Sequence, residues 1–306
     1  MVTDELCAEV ARLKKERDAV VLAHYYVTPE VQELADHVGD SFALSRLAAT
    51  LPASTLVFAG VSFMAESAKL LSPDKVVLMP EPTADCPMAH MVRRETIDRA
   101  REQYGDDLAV ACYVNSTAEV KSWSDVCVTS SNAVRIVRAL PQSDVLFIPD
   151  RHLGRFVAEQ VPEKNVILND GFCPIHQAIS AAEVEALKAA HPGAPVLAHP
   201  ECGPEALALA DFAGSTSQII DRAAELAPAD CIILTVDGVR AELERRCPST
   251  RFHFPSTRPA CPDMERITAE RLAACLRDGT GEVGLPPEDV ARGARAALDR
   301  MLELGR

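Results

Sequence analysis

Three cysteines in this chain could hold one metal centre, because each follows a histidine or tyrosine at nearly the same offset. The offsets are 62, 60 and 62 residues. The pairs are His24 with Cys86, Tyr113 with Cys173, and His199 with Cys261. The cysteines are therefore 87 and 88 residues apart. A repeat of this period that ends in a thiol each time predicts a single site around a pseudo-threefold axis.

Three further side chains recur in the same frame. A glutamate lies six residues after the aromatic position, an aspartate twelve after it and a hydroxyl seventeen after it. The sets are Glu30, Glu119 and Glu205; Asp36, Asp125 and Asp211; and Ser41, Ser130 and Thr216. We expect each hydroxyl to begin a helix, where free N–H groups bind carboxylate or phosphate. Any one could be an ordinary N-cap, but three at one axis would form an anion cage without lysine or arginine.

The thiols narrow the choice of metal. Thiolates bind soft or borderline metals such as zinc and iron–sulfur clusters. Structural zinc favours four ligands, often in closely spaced pairs, whereas these cysteines lie far apart in the sequence. Three thiolates suit a cubane cluster whose fourth iron stays open as a Lewis acid. Two alternatives stay open: His176 could complete a Cys3His zinc site, or duplication could have left three inert core cysteines.

The other seven of the ten cysteines are expected to be structural. Cys202 is ambiguous, because it directly follows Glu201 at a predicted strand end. The remaining six are Cys7, Cys112, Cys127, Cys231, Cys247 and Cys275.

Polar side chains at the predicted strand ends form a candidate acid–base set. They are His24, Tyr26, Tyr113, Asn115, His199 and Glu201. A lone histidine at a strand end is usually structural. Two at equivalent positions, one of them followed closely by a carboxylate, make a better set for proton transfer.

Alternating strands and helices must position these residues. Each copy opens with an apolar run typical of a buried parallel strand, as in AVVLAHYY, LAVACYV and APVLAHP. Thr28 and Pro29 then predict an N-cap and the first residue of a helix. Strands that alternate with helices predict α/β units with right-handed crossovers, whose ligands gather at the carboxyl ends of the strands.

We therefore predict three related α/β domains, each a three-layer unit with a parallel sheet, around a central iron–sulfur site. The predicted boundaries are an N-terminal helix over 1–19, repeats over 20–106, 107–193 and 194–280, and a C-terminal helix over 281–306.

Composition limits the possible partners and compartment. The chain has 306 residues, 48% of them hydrophobic, and a formal charge of −14, which argues against binding to nucleic acid or anionic membranes. The N-terminus has no apolar stretch typical of a signal peptide, and no run is long enough to span a bilayer. We expect a cytoplasmic protein with reduced thiols.

Several longer motifs together resemble the quinolinate synthase family, the A proteins of bacterial NAD biosynthesis. The motifs are AHYY, PEVQELAD, GDSFALSR, FAGVSFMAESAKLL, YVNSTAEVK, TSSNAV, FIPDRHLGR, HPECGPE and GSTSQII. The resemblance implies a [4Fe–4S] cluster on Cys86, Cys173 and Cys261. It also implies condensation of iminoaspartate with dihydroxyacetone phosphate to quinolinate, phosphate and water. An L-aspartate oxidase or aspartate dehydrogenase would supply the imine.

The resemblance also implies roles for individual residues. Tyr26 and Glu201 become the leading acid–base candidates, and His24 and His199 join them as catalytic candidates. The implied substrate-binding residues are His24, Ser41, Tyr113, Val114, Asn115, Ser130, His176, His199, Pro200, Glu201 and Thr216.

A few positions depart from the family pattern, and two other functions stay open. The departures are Val27, Asp85, His90 and the run Thr235-Val236-Asp237-Gly238. None of them removes a proposed ligand, although Asp85 is expected to lower the potential of a cluster. The alternatives are a diphthamide-synthase-like cluster enzyme that cleaves S-adenosylmethionine by radical chemistry, and a zinc-stabilised structural or binding protein.

Overall fold

The computed structural model describes residues 2–105 and 107–305. Its strands form three separate four-stranded sheets in which every neighbouring pair is parallel. All three sheets have the same strand order: the second strand of the unit lies at one edge, followed by the first, third and fourth. The predicted α/β fold with three related units is confirmed.

The first unit follows the N-terminal helix α1 (Asp4–Glu16). Its sheet consists of β1 (Ala19–His24), β2 (His37–Gly39), β3 (Thr55–Ala59) and β4 (Val76–Leu78). Its helices are α2 (Pro29–Leu34), α3 (Ser41–Thr50), α4 (Ser62–Leu71) and α5 (Arg94–Tyr104), with a 3-10 turn over Pro87–His90.

The second unit repeats this order. Its strands are β5 (Ala109–Tyr113), β6 (Val126–Val128), β7 (Asp144–Ile148) and β8 (Asn165–Leu168). Its helices are α6 (Ala118–Ser122), α7 (Ala133–Ala139), α8 (Arg151–Gln160), α9 (Pro174–Gln177) and α10 (Ala181–Ala190).

The third unit and the C-terminus complete the described chain. The strands are β9 (Val196–Ala198), β10 (Phe212–Ala213), β11 (Asp230–Leu234) and β12 (Arg251–His253). The helices are α11 (Pro204–Leu207), α12 (Thr216–Leu226), α13 (Arg240–Arg246), α14 (Pro262–Glu265), α15 (Ala269–Asp278) and α16 (Glu288–Leu304), with a 3-10 turn over Asp237–Val239.

The repeated aspartate joins the first two strands of each sheet. The Asp36 carboxylate accepts a hydrogen bond from Val21 N at 2.8 Å, and Asp36 N donates to Val21 O at 3.0 Å. The same two bonds join Asp125 to Val110 and Asp211 to Val196. The aspartate repeat therefore belongs to the scaffold, because it fixes where the second strand of each sheet starts.

The sheets are apolar on both faces because helices cover both sides. In the third sheet, Val196 and Ile232 pack into one core cluster, whereas their neighbours Leu197 and Ile233 pack into another. Successive strand residues point to opposite faces, so both clusters need apolar side chains. The C-terminal helix α16 packs against both α4 and α6, which ties the first unit to the second. No helix in the described part of the chain combines the length and apolar content that a membrane span requires.

Candidate active site

All three repeat cysteines line one cavity, which has about 980 Å³ of empty space including its mouth. Cys86, Cys173 and Cys261 each occupy the N-cap position of a short helical turn that begins with proline. Proline is favourable there because the first N–H of a helix has no partner within the helix. The recurring Cys-Pro pair was visible in the sequence and gives the cysteine loops a common local geometry.

Burial keeps these three thiols neutral in the absence of a metal. It raises the pKa of Cys86 to about 12 and also raises the pKa values of Cys173 and Cys261. A metal that binds thiolate would displace three protons here and neutralise the charge that burial disfavours. The donor set therefore fits an iron–sulfur cluster held by three thiolates.

A buried trio of His176, Glu201 and His199 lies beside Cys173. The His176 Nδ1 atom is 2.8 Å from Glu201 Oε2 and 3.3 Å from Cys173 Sγ. The His176 and His199 rings stack with their centroids 4.8 Å apart. Burial would raise the pKa of the Glu201 carboxyl, but the neighbouring His176, which contacts it at 2.8 Å, outweighs this effect and lowers it. Glu201 is therefore a buried carboxylate.

A chain of hydrogen bonds connects Tyr26 to Glu201. The Tyr26 hydroxyl is 2.7 Å from Thr235 Oγ1, and Thr235 Oγ1 is 2.9 Å from His176 Nε2. His176 Nδ1 then reaches Glu201 Oε2, and on the other side the Tyr26 hydroxyl is 2.8 Å from Thr216 Oγ1. With the Nδ1 proton of His176 on the Glu201 side, Thr235 donates to Nε2 and accepts from Tyr26. The two leading acid–base candidates thus belong to one network.

His24 and His199 are held in the same way by the residue two positions further on. Tyr26 N donates to His24 Nδ1 at 3.2 Å, and Glu201 N donates to His199 Nδ1 at 3.3 Å. Burial lowers the pKa of His24 to about 4 and that of His199 to about 3. Both rings are therefore neutral near pH 7, and each carries its proton on Nε2.

The repeated hydroxyls line the cavity, but the prediction about their helices needs correction. Ser41 and Thr216 are the first residues of α3 and α12, and the N-caps are Asp40 and Ser215. Ser130 does not begin a helix. Thr129 N donates to the Asn132 side chain at 2.7 Å, and this local turn delays the start of α7 to Ala133. Because other side chains act as caps, the hydroxyls of Ser41 and Thr216 are not used for capping.

Two buried acceptor atoms in the cavity lining have no hydrogen-bond partner within the described residues. They are Glu201 Oε1 and Asn115 Oδ1. Tyr113 also lines the cavity, and its pKa is raised by burial and by the nearby Glu201 carboxylate. A buried acceptor without a partner costs about 1–3 kcal/mol, so a ligand that donates to these atoms would gain that energy.

The cavity brings together most of the predicted site residues. The lining contains His24, Tyr26, Ser41, Cys86, Tyr113, Asn115, Ser130, Cys173, His176, His199, Glu201, Thr216 and Cys261. Val114 and Pro200 are buried but are not part of the lining. The other seven cysteines also lie outside it.

Sequence reasoning missed two buried residues that support the site. Thr235, the residue directly after the third strand of its unit, joins Tyr26 to His176, and the equivalent positions Gly60 and Pro149 carry no hydroxyl. Asp150 accepts hydrogen bonds from His152 N and Leu153 N, which caps α8, and from Cys173 N at 3.2 Å. The strand-end rule could have found Thr235.

His90 and Asp85 contact each other. His90 Nε2 is 2.7 Å from Asp85 Oδ2, and Asp85 Oδ1 accepts from Cys86 N at 2.8 Å and from the Ser62 hydroxyl. Asp85 and His90 therefore form a pair. The side chains of Asp85 and Asp150 thus accept hydrogen bonds from the backbone N–H groups of two of the three cysteines.

Comparison with known proteins gives a family for this arrangement. Residues 8–303 match the profile of the family described as Quinolinate synthetase A protein. The chain belongs to this family. A relative from Caldicellulosiruptor saccharolyticus named Quinolinate synthase is 46% identical over 304 residues, covering 99% of this chain and 100% of the relative.

Relatives from two other organisms give similar matches. The Quinolinate synthase of Fusobacterium nucleatum is 45% identical over 295 residues, covering 96% of this chain and 98% of the relative. The one from Aquifex aeolicus is 44% identical over 305 residues, covering 98% and 94%. The family is a family of enzymes, and the alignments cover 94–100% of the length of these three relatives.

Proposed function

We propose that this chain is a quinolinate synthase of NAD biosynthesis. It condenses iminoaspartate with dihydroxyacetone phosphate and releases quinolinate, phosphate and two water molecules. Family membership over almost the whole chain supports the activity. The observation that carries the chemistry is the cavity itself, because three cysteines from three units share its lining with Tyr26, His176 and Glu201, which Thr235 joins into one hydrogen-bond chain.

A [4Fe–4S] cluster on Cys86, Cys173 and Cys261 is the cofactor that this donor set fits best. When bound, it supplies an open iron as a Lewis acid that helps a hydroxyl group leave. The protein keeps the surroundings apolar through Val61, Met88 and other lining residues, so that water is largely excluded.

The repeated hydroxyls are assigned to the anionic groups of the substrates. Two carboxylates and a phosphate have to enter an acidic protein, and no lysine or arginine lines the cavity in the described part of the chain. Ser41 and Thr216 lie in the first turns of α3 and α12, where backbone N–H groups favour negative charge. Ser130 offers a third hydroxyl from its turn.

Glu201 and Tyr26 are assigned to proton transfer. Ring closure requires a proton to leave carbon and a hydroxyl to leave as water. Glu201 Oε1 is buried without a partner in the described part of the protein and can accept a proton, while the hydroxyl of Tyr26, at the other end of the hydrogen-bond chain, can deliver one. Neutral His24 and His199 offer Nε2–H donors that hold substrate oxygens.

Turnover with both substrates tests this proposal. Anaerobically purified protein is mixed with dihydroxyacetone phosphate and with iminoaspartate generated in situ from oxaloacetate and ammonia. We expect quinolinate and phosphate in equal amounts. Protein that contains iron and sulfide but forms no quinolinate would overturn the assignment, and cleavage of S-adenosylmethionine would favour the radical enzyme.

A mononuclear metal site is the second candidate. One ligand atom each of Cys173, His176 and Glu201 lie within 4.8 Å of one another, as a zinc ion requires. Such a site would leave Cys86 and Cys261 without a role. Zinc in the purified protein without sulfide would favour this candidate.

The proposal also includes the source of the imine and the cellular compartment of the reaction. An L-aspartate oxidase or aspartate dehydrogenase would produce iminoaspartate, and the reaction would take place in the cytoplasm. The charge of −14 gives no support for nucleic acid or anionic membranes as partners.

A further inference from the structure

Three potential metal ligands meet at the outer edge of the third sheet, away from the central cavity. His191 is the C-cap residue of α10, Asp230 is the first residue of β11, and His253 is the last residue of β12. One ligand atom from each lies within 4.8 Å of the others. None of the three lines the central cavity.

The two imidazole rings are stacked face to face, so one ring has to turn before both can present a nitrogen atom to a shared ion. The centroids of His191 and His253 are 3.4 Å apart, and the rings are inclined by 17°. His253 Nε2 is 2.8 Å from Asp230 Oδ1. The side chains of His253 and Asp230 are 19% and 24% exposed, so an ion from solvent can reach them. The last carbonyl groups of α10 add partial negative charge at His191, which favours a cation.

An arginine competes for the carboxylate. Arg251 Nε is 2.9 Å from Asp230 Oδ1, and a second guanidinium nitrogen is 2.6 Å from Oδ2. This ion pair accounts for the position of Asp230. It does not account for His191, whose ring has no hydrogen bond within the described residues and stacks on His253 instead.

We propose that His191, Asp230 and His253 bind one divalent transition-metal ion of the zinc class, separate from the cysteine site. Two imidazoles and a carboxylate are a common zinc donor set, and a water molecule can complete the coordination. The ion displaces the Arg251 guanidinium from one carboxylate oxygen. This proposal does not depend on the proposed reaction.

Binding would fix the segment that leads to Cys261. Helix α10 already touches that segment at its other end, because Glu183 accepts hydrogen bonds from Ser256 Oγ at 3.0 Å and Thr257 N at 3.1 Å. A metal that joins His191 to His253 would hold both ends of α10 against the chain between β12 and Cys261. The site therefore has a structural role.

Equilibrium dialysis of the cluster-loaded protein against Zn²⁺ tests the proposal, with zinc and iron measured together. We expect one zinc per chain beyond the cluster metal in the wild type. His191→Asn and His253→Asn should each weaken binding by about tenfold or more, since even changes to groups that only support metal ligands cost 10–100-fold. Arg251→Gln should strengthen zinc binding, because it removes the competitor.

The three variants change residues that are at least partly exposed and lie outside the cavity. Iron content and turnover should therefore stay at wild-type levels. These two measurements serve as the control for correct folding. The absence of the additional zinc in the wild type would overturn the proposal. Additional zinc that binds with equal affinity to both histidine variants would also overturn it. Weaker binding by Arg251→Gln would contradict the competition with Arg251.

Discussion

The strand ends of the first and third units have the same local structure but carry different chemistry. In both, a histidine ring accepts a hydrogen bond from the backbone N–H two residues further on, at 3.2 Å for His24 and 3.3 Å for His199. The residue that donates is Tyr26 in one unit and Glu201 in the other. Duplication therefore preserved the turn and the neutral histidine, while the side chain that can transfer a proton diverged.

The three repeat cysteines, by contrast, did not diverge. All three remain thiols, and each precedes a proline that begins a short helical turn. The groups that we propose to hold a symmetric cofactor are alike in the three units, whereas the groups that we propose to act on an asymmetric substrate differ. This contrast makes separate predictions for the two kinds of residue.

Loss of any one cysteine ligand should have the largest effect. Cys86→Ala, Cys173→Ala and Cys261→Ala should each abolish quinolinate formation and lower iron and sulfide content, because the proposed cluster needs all three thiolates. Cys202→Ala is the matched control, since Cys202 is buried beside Glu201 in sequence but does not line the cavity. A variant that keeps full iron and sulfide would show that its cysteine is not a ligand.

Substitution of Tyr26 or Glu201, the residues that differ between the first and third units, should slow turnover and leave the proposed cluster intact. Tyr26→Phe and Glu201→Gln should each lower kcat by about 10²–10⁴-fold, the usual contribution of a positioned acid or base. Iron and sulfide content should match the wild type. Tyr25→Phe serves as a control, because the neighbouring tyrosine lies outside the cavity lining. Near-normal kcat in either test variant would remove that residue from the reaction.

Thr235→Val should have a smaller effect. It breaks the chain of hydrogen bonds between Tyr26 and His176 but leaves both of these side chains in place. Loss of the buried hydroxyl leaves polar groups without a partner at a cost of about 1–3 kcal/mol, so a fall in kcat of roughly tenfold or more is expected. Thr235→Ser should restore most of the rate, since it keeps the hydroxyl. Equal rates for the valine and serine variants would show that the hydrogen bond is unimportant.

His24 and His199 should both make the folded protein less stable as the pH falls. Their pKa values lie near 4 and 3 in the folded protein, below the unfolded value of about 6.5. The unfolded state therefore binds more protons below pH 6.5, and stability should fall as the pH falls towards 4. Each histidine contributes on the order of 3 kcal/mol to this loss. Thermal unfolding of His24→Asn between pH 7 and 4.5 should show a weaker pH dependence than the wild type; an unchanged slope would argue against a buried neutral ring.

The repeat made most of the scaffold predictable. Apolar runs at a fixed period predicted the parallel strands, and the recurring aspartates proved to join strands rather than to bind ligands. The cysteines and strand-end polar residues were found because they sit where parallel sheets gather their ligands.

The connections between units could not be predicted from one sequence. Thr235 and His176 lie on different units, and only the packing of the units places them 2.9 Å apart. Ser130 was predicted to begin a helix, but the side chain of Asn132 forms a competing local turn. Contacts between distant segments depend on how the units pack, which a single sequence pattern does not contain.

A double-mutant cycle tests most directly whether Tyr26 and Glu201 act as one unit across the first and third repeats. The kcat values of Tyr26→Phe, Glu201→Gln and the double variant are compared in preparations with equal iron and sulfide. Residues of one proton-transfer network are strongly non-additive, so the double variant should be no slower than the slower single variant, within about threefold. A double variant whose loss equals the product of the two single losses would contradict this account.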